Sequence, residues 1–291
     1  MVPPLVVRGR RHGSLCGRPR VCAAGLFFAD KKRAWRHAAP MFDLRIEQGV
    51  ARLVLDRPEA RNAVPAGQWE RLGAAAAKAE SEGARLLIVS GAGGAFCAGA
   101  DLGDFPGLIE NEGARASFRL AMRAGLDRIA NLDIPAIAAI DGACFGAGVA
   151  LAMACDLRVA GPDARFAITP AKLGISYPQE DVHQLVSLVG PGQAARLLFG
   201  AETIDAAEAV RIGLVESCAS SAEGYEALVE GLSEAILANS ADSLRLLKRS
   251  IRSVEKGAGA DTDLDKAFDA AFGSAEFAER LAALRPRAAT R

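Results

Sequence analysis

The sequence predicts an α/β fold followed by a helical C-terminal part. Two apolar runs, at 86–89 and 135–140, are uninterrupted, as in strands buried on both faces of a sheet. Segments with apolar residues at helical spacing lie between these runs and after them. With 291 residues, 51% of them hydrophobic, the chain is long enough to bury one substantial core.

The first predicted elements are an antiparallel strand pair and a helix. Apolar and polar residues alternate over 42–56 on both sides of a turn at 48–49, which is typical of paired strands. The next segment places Trp69, Leu72 and Ala76 on one helical face. A strand pair followed by a helix is therefore expected before the first buried run.

Each buried run leads into a glycine-rich loop. The run at 86–89 is followed by a loop over 91–103, and an amphipathic helix over 114–132 precedes the second run. The elements predicted after that run are a second glycine-rich loop at 141–148, a helix of small residues at 146–153 and a strand beginning at Asp156. The alternation of strand and helix indicates an α/β core.

Beyond about Gln179 the pattern is mainly helical. Two apolar helical faces stand out there: Tyr225, Leu228, Leu232 and Ile236 on one helix, and Leu244, Leu247, Ile251 and Val254 on the next, with Asn239-Ser240 as caps. We divide the chain into a leader at 1–40 outside the fold, an α/β core at 41–215 and a helical region at 216–291.

The charge is unevenly distributed along the chain. The first 40 residues hold nine Lys/Arg and one acid, Asp30, whereas the remainder holds 26 bases and 34 acids. The basic leader is interpreted as sequence upstream of a start at Met41, or alternatively as a transit-like peptide. The acidic remainder argues against nucleic-acid binding, and the leader's apolar stretch is too short to span a membrane.

Metal and hydrolase chemistry find little support in the composition. The six cysteines show no CxxC spacing, which is typical of reduced cysteines in a cytoplasmic protein. Only one of the three histidines, His183, lies outside the leader. We therefore expect neither a metal site nor a Ser-His-Asp triad.

The two glycine-rich loops are the candidate functional motifs. Each follows a buried strand and carries Gly or Ala where the backbone must approach another group closely. Neither contains a nucleotide-binding pattern, since no Gly-Lys-Ser/Thr closes the first and the second has its glycines at 142, 146 and 148. The second loop opens a helix, whose free N–H groups attract negative charge.

The sequence resembles the enoyl-CoA hydratase/isomerase, or crotonase, family from Met41 to about Arg287. The resemblance implies a crotonase-type β-spiral core whose C-terminal helices mediate homotrimers, often paired into hexamers. The motifs that carry it occur in the family's order: Arg57-Pro58-Glu59-Ala60-Arg61-Asn62-Ala63, Phe96-Cys97-Ala98-Gly99-Ala100-Asp101-Leu102, Ile140-Asp141-Gly142-Ala143-Cys144-Phe145-Gly146-Ala147-Gly148, Leu151-Ala152-Met153-Ala154-Cys155-Asp156, and Ala206-Ala207-Glu208-Ala209 with Gly213-Leu214-Val215.

The resemblance also implies the chemistry of the site. In the family, two backbone N–H groups, here those of Ala100 and Ala147, form an oxyanion hole that stabilises a thioester enolate. Coenzyme A enters as part of the acyl-CoA substrate, and no separate cofactor is expected. The residues that match the family's CoA-binding positions are Glu59, Ala60, Arg61, Ala98, Asp101, Leu102 and, near the end, Arg285. Asp101 is alternatively a helix cap.

The sequence departs from the family's hydratases at both glutamates. Ala150 and Pro170 occupy the matching positions, and neither side chain can exchange a proton. Tyr177 is similar to a tyrosine of the methylmalonyl-CoA decarboxylase branch, although it could equally be a packed side chain. Glu180 and Asp181 are the other candidate acids, or they complement a helix dipole. His183 lies one turn further on.

Three functions remain open at this point. The breadth of the resemblance favours an enoyl-CoA hydratase/isomerase in fatty-acid metabolism. The absence of both glutamates together with the presence of Tyr177 favours a decarboxylase of the methylmalonyl-CoA type. A non-catalytic protein that binds CoA thioesters is the third interpretation, and it would require that Tyr177, Glu180, Asp181 and His183 all face away from the acyl pocket.

Overall fold

The computed structural model describes residues 41–284, in which two sheets and a set of α-helices are formed. The strands are β1 (Phe42–Glu47), β2 (Val50–Leu55), β3 (Leu86–Gly91), β4 (Ala95–Cys97), β5 (Ala136–Ile140), β6 (Ala143–Phe145), β7 (Leu157–Ala160), β8 (Arg165–Ala167), β9 (Ile204–Asp205) and β10 (Ser217–Cys218). The helices are α1 (Trp69–Ser81), α2 (Phe105–Glu110), α3 (Glu112–Ala130), α4 (Ala147–Ala154), α5 (Gln179–Gly200), α6 (Ala206–Arg211), α7 (Ala222–Leu237), α8 (Ala241–Glu255), α9 (Thr262–Phe272) and α10 (Ala275–Leu284). Helix α5 is interrupted at Gly190.

The larger sheet has the strand order β1-β2-β3-β5-β7-β10. Strands β1 and β2 form the predicted antiparallel pair, with Leu44 opposite Leu53, and the remaining pairs are parallel. Parallel neighbours need long crossover connections, and α1, α2, α3 and α4 are the helices that lie between β2, β3, β5 and β7 in the chain. The predicted α/β class is confirmed.

The smaller sheet has the order β4-β6-β8-β9, and its first two strands lie inside the segments predicted to be loops. Ala95 pairs with Ala143, and Cys97 with Cys144, in parallel register. The prediction of continuous loops over 91–103 and 141–148 was wrong at these points. A strand of three residues is too short to show an alternation pattern, so only the pairing reveals it.

The two C-terminal helices with predicted apolar faces, α7 and α8, pack differently. The predicted apolar face of α7 packs on the larger sheet, against buried side chains that include Leu86, Ile137 and Val159. Helix α8 is instead anchored by the buried Lys248, whose ammonium donates to the Ile134 carbonyl at 2.7 Å and to Asp156 at 2.6 Å. The predicted apolar face of α8 is largely exposed at Leu247, Ile251 and Val254.

The predicted cap of α8 is confirmed at Ser240, which accepts a hydrogen bond from the Ser243 N–H at 3.3 Å.

Within residues 41–284, no helix combines the length and apolar character needed to cross a bilayer. The leader at 1–40 and Arg285 lie outside the described residues.

Candidate active site

A cavity of about 400 Å³ lies where the two glycine-rich segments meet, and we call it the main cavity. The segment after β4, the N-terminus of α4 and helix α3 contribute to its wall, together with the segment that leads into α5. Its lining residues are Ala98, Gly99, Ala100, Leu102, Phe105, Phe118, Arg119, Met122, Gly146, Ala147, Thr169, Pro170, Leu173, Ile175, Ser176, Tyr177 and Pro178.

Two glycines allow the segments to approach each other. A Cβ atom on Gly99 would lie 2.7 Å from the Phe145 carbonyl oxygen, and one on Gly148 would lie 2.1 Å from the Cys97 carbonyl oxygen. Gly99 also has a φ of +102°, a conformation that side-chain-bearing residues rarely adopt. The absence of side chains here brings Ala100 and Ala147 to the wall of one cavity.

The N–H groups of Ala100 and Ala147 make no hydrogen bond to any residue within 41–284. The backbone around each is nevertheless held in place. On either side of Ala100, the Gly99 carbonyl accepts from Val64 at 2.8 Å and the Asp101 N–H donates to Val64 at 3.1 Å. Ala147 is the first residue of α4, where helix N–H groups have no partner within the helix. Both amides are therefore rigid, unpaired donors beside the cavity.

Asp101 has a structural role behind the cavity wall. Its carboxylate accepts from the Arg57 guanidinium at 2.5 Å and from the Gly103 N–H at 2.9 Å, so the predicted helix cap is confirmed. Partial burial of Asp101 raises its pKa, but these hydrogen bonds outweigh that effect and hold the pKa below its ordinary value. The carboxylate stays ionised, and its bond to Arg57 ties the segment 57–63 to the segment 96–102.

The predicted CoA-binding residues are distributed over the site and its surroundings. Ala98 and Leu102 line the main cavity, whereas Glu59, Ala60 and Arg61 do not. The Arg61 carbonyl accepts from the Ala98 N–H at 2.9 Å, which joins that segment to the cavity wall.

Tyr177 lines the cavity, and its hydroxyl group donates to the Gly146 carbonyl at 3.0 Å. The side chain is buried, and burial raises the pKa of the phenol well above its ordinary value. The phenol proton is thus directed to the peptide that precedes Ala147. This geometry suits a positioning residue better than a proton donor.

Asp181, Glu180 and His183 lie outside the main cavity. Asp181 is buried and pairs with Arg123 at 2.8 Å, and the second oxygen of its carboxylate has no hydrogen-bond partner among residues 41–284. Burial raises the pKa of Asp181, and Arg123 opposes only part of that shift. Glu180 and His183 are exposed. An adjoining cavity of about 10 Å³ is bordered by Glu180 and Asp181 together with Arg119.

The two residues that the resemblance matches to the hydratase glutamates are also located. Ala150 is buried inside α4, and Pro170 lines the main cavity. Among the lining residues of the main cavity, Arg119 and Tyr177 are the ionisable side chains, so no carboxylate from residues 41–284 lines it.

Arg119 was not predicted as a site residue. The available signal was its position three residues before Met122 and seven before Leu126, two buried residues of α3, which places a charge beside an apolar helical face.

Comparison with known proteins gives concordant matches. A family model described as enoyl-CoA hydratase/isomerase matches residues 45–278. The short-chain-enoyl-CoA hydratase of Clostridium acetobutylicum is 33% identical over 233 residues, which are 79% of this chain and 87% of that protein. A crystal structure of a protein assigned to the enoyl-CoA hydratase/isomerase family, from Hyphomonas neptunium, has a TM-score of 0.80 and 36% identity, covering 84% of this chain and 95% of that one. An enoyl-CoA hydratase structure from Bacillus anthracis has a TM-score of 0.77 and 28% identity, covering 84% and 95%.

Proposed function

The chain belongs to the enoyl-CoA hydratase/isomerase family, and we propose that it binds an acyl-CoA thioester with the carbonyl oxygen between the N–H groups of Ala100 and Ala147. The observation that carries this proposal is the pair of unpaired, rigid backbone donors at one cavity. A thioester oxygen is the acceptor that these two donors would share.

The proposed chemistry is the stabilisation of an enolate. When the α-carbon loses a substituent without its bonding electrons, negative charge develops on the thioester oxygen. Two N–H groups, one of them at the positive end of the α4 dipole, would stabilise that charge. A donor of this kind typically lowers the barrier by about 3 to 4 kcal/mol.

Decarboxylation is the second candidate, because no carboxylate from residues 41–284 lines the main cavity. Abstraction of an α-proton needs a base. In the loss of CO₂, by contrast, the electron pair comes from the broken carbon–carbon bond, and the enolate later takes a proton from water. The same observation also favours the third possibility, a protein that binds CoA thioesters without turning them over.

Deuterium exchange distinguishes these functions. We expect the full chain, incubated with crotonyl-CoA, a 3-enoyl-CoA or methylmalonyl-CoA in deuterated water, to incorporate deuterium at the α-carbon or to turn over at least one of them. Mass spectrometry would identify hydration, isomerisation or decarboxylation from the substrate that reacts. Binding without exchange or turnover would contradict the enolate proposal and support the non-catalytic function.

Replacing Tyr177 by phenylalanine is expected to reduce the reaction rate by no more than about tenfold. The loss of one hydrogen bond to the Gly146 carbonyl should lower the free energy of unfolding by about 0.5 to 1.5 kcal/mol. Thermal unfolding and the exchange assay would measure both effects, with Tyr225→Phe on α7 as the matched control. A rate loss of about 100-fold or more in a folded Tyr177→Phe variant would contradict this expectation and show that the phenol contributes more to the reaction than one positioning hydrogen bond.

We also propose assembly into homotrimers, or hexamers built from them. The support is a set of exposed apolar side chains on the last helices, of the kind that oligomer interfaces cover. They are Leu247, Ile251, Val254, Phe268, Phe272, Phe277, Leu281 and Leu284. The oligomeric state and a cytoplasmic location both stay predictions.

A further inference from the structure

Among the residues of 41–284 that line the main cavity, Arg119 alone carries a permanent positive charge. Its neighbours in the wall are largely apolar, and they include Phe118, Met122 and Leu173. Arg119 itself is exposed, so a bound ligand would reduce the contact of its guanidinium with water and strengthen its attraction for an anion.

The next arginine on the same helix, Arg123, has a structural role and differs from Arg119 in its ion pairs. Arg123, one turn after Arg119, has carboxylate partners in Asp127 and Asp181, each at 2.8 Å. Arg119 has no carboxylate within 4.0 Å among residues 41–284. Glu180 borders the small adjoining cavity together with Arg119, yet the two do not form an ion pair. Within the described chain, Arg119 thus forms no ion pair that would hold its guanidinium in place.

We propose that Arg119 binds a carboxylate at the far end of the acyl group, so that the preferred ligand is the CoA thioester of a dicarboxylic acid. This inference rests on the proposed binding of an acyl-CoA thioester. The guanidinium fork matches the two oxygens of a carboxylate, and the apolar wall accommodates the intervening methylene groups.

The position of the carboxylate along the acyl group follows from the chemistry. A carboxylate that is about to leave as CO₂ reacts more slowly when a cation stabilises it in the ground state. Arg119 is therefore assigned to a carboxylate remote from the α-carbon. The phosphates of CoA are the other source of an anionic group, and the experiment separates the two sources.

The test measures dissociation constants calorimetrically for butyryl-, hexanoyl-, succinyl-, glutaryl- and adipyl-CoA. We expect at least one dicarboxylic thioester to bind the wild-type chain more tightly than the uncharged thioesters. Arg119→Gln should weaken that binding about 10- to 100-fold, as expected for hydrogen bonds between charged groups, and leave butyryl-CoA within about threefold. The matched control is Arg115→Gln, because Arg115 is exposed like Arg119 and lies one turn earlier on α3 but does not line the cavity.

Two results would overturn the inference while leaving the proposed function in place. One is an equal loss of affinity for dicarboxylic and uncharged thioesters in Arg119→Gln, which would assign the arginine to the CoA phosphates. The other is wild-type binding that does not distinguish the two kinds of acyl group. Failure of the wild-type chain to bind any of these thioesters would overturn the proposed function as well.

Discussion

Replacing Ala147 by proline is expected to slow the reaction of the acyl-CoA substrate about 100- to 1000-fold. Proline has no N–H group, so the change removes one of the two proposed oxyanion donors. The fold should tolerate it, because Ala147 is the first residue of α4 and proline is favoured at that position of a helix. The preceding residue, Gly146, lacks the Cβ atom that would clash with the proline ring.

The matched control is Ala222→Pro, which places proline at the first position of α7, remote from the main cavity. Both variants should retain the circular dichroism spectrum and unfold cooperatively. Rates would be measured by α-carbon deuteration or product formation with whichever acyl-CoA reacts. A folded Ala147→Pro variant that reacts as fast as Ala222→Pro would show that the Ala147 amide does not take part in the reaction.

Replacing Gly148 by alanine is expected to lower the free energy of unfolding by about 3 kcal/mol, near the upper end of what overpacking costs. The added methyl group would lie 2.1 Å from the Cys97 carbonyl oxygen, and both partners belong to regular elements that cannot move independently. For a chain of this size the expected fall in melting temperature is about 6 to 12 °C. Because the two segments must separate, the reaction rate should fall as well.

Gly231→Ala is the matched control for this change. Gly231 lies within α7, and a Cβ atom there would meet no atom within 4 Å. Alanine is the better helix former, so Gly231→Ala should raise stability by up to about 1 kcal/mol. Denaturant unfolding of the two variants would compare them. Equal stability changes would show that close contact at Gly148 is not what holds the two glycine-rich segments together.

Particular residues show how far sequence reasoning reached into the site. The cap at Ser240, the cap at Asp101 and the strand pair around 48–49 were all predicted, because each depends on neighbours within a few residues. The direction in which the Asp181 carboxylate points was not predictable, since its partner Arg123 lies 58 positions away in the sequence. The same holds for the Tyr177 hydroxyl group, whose acceptor Gly146 lies 31 positions away.

The apolar face of α8 shows a second limit. Helical spacing correctly grouped Leu247, Ile251 and Val254 on one side of a helix, but not whether that side meets the core. In the structure the core-facing position is held by Lys248, whose charge is balanced by Asp156. An apolar pattern identifies a face that avoids water, and either the core or another subunit can cover it.

The sequence by itself determined the α/β class and the family, because apolar periodicity and motif order are local properties of the chain. The tertiary structure alone decided which side chains share the cavity. It places Arg119 and Tyr177 at the cavity wall, whereas Asp181 lies outside the cavity and pairs with Arg123. The physical reason is that charge and hydrogen-bond partners come from distant segments, so the ionisation and direction of each group depend on packing that local patterns do not encode.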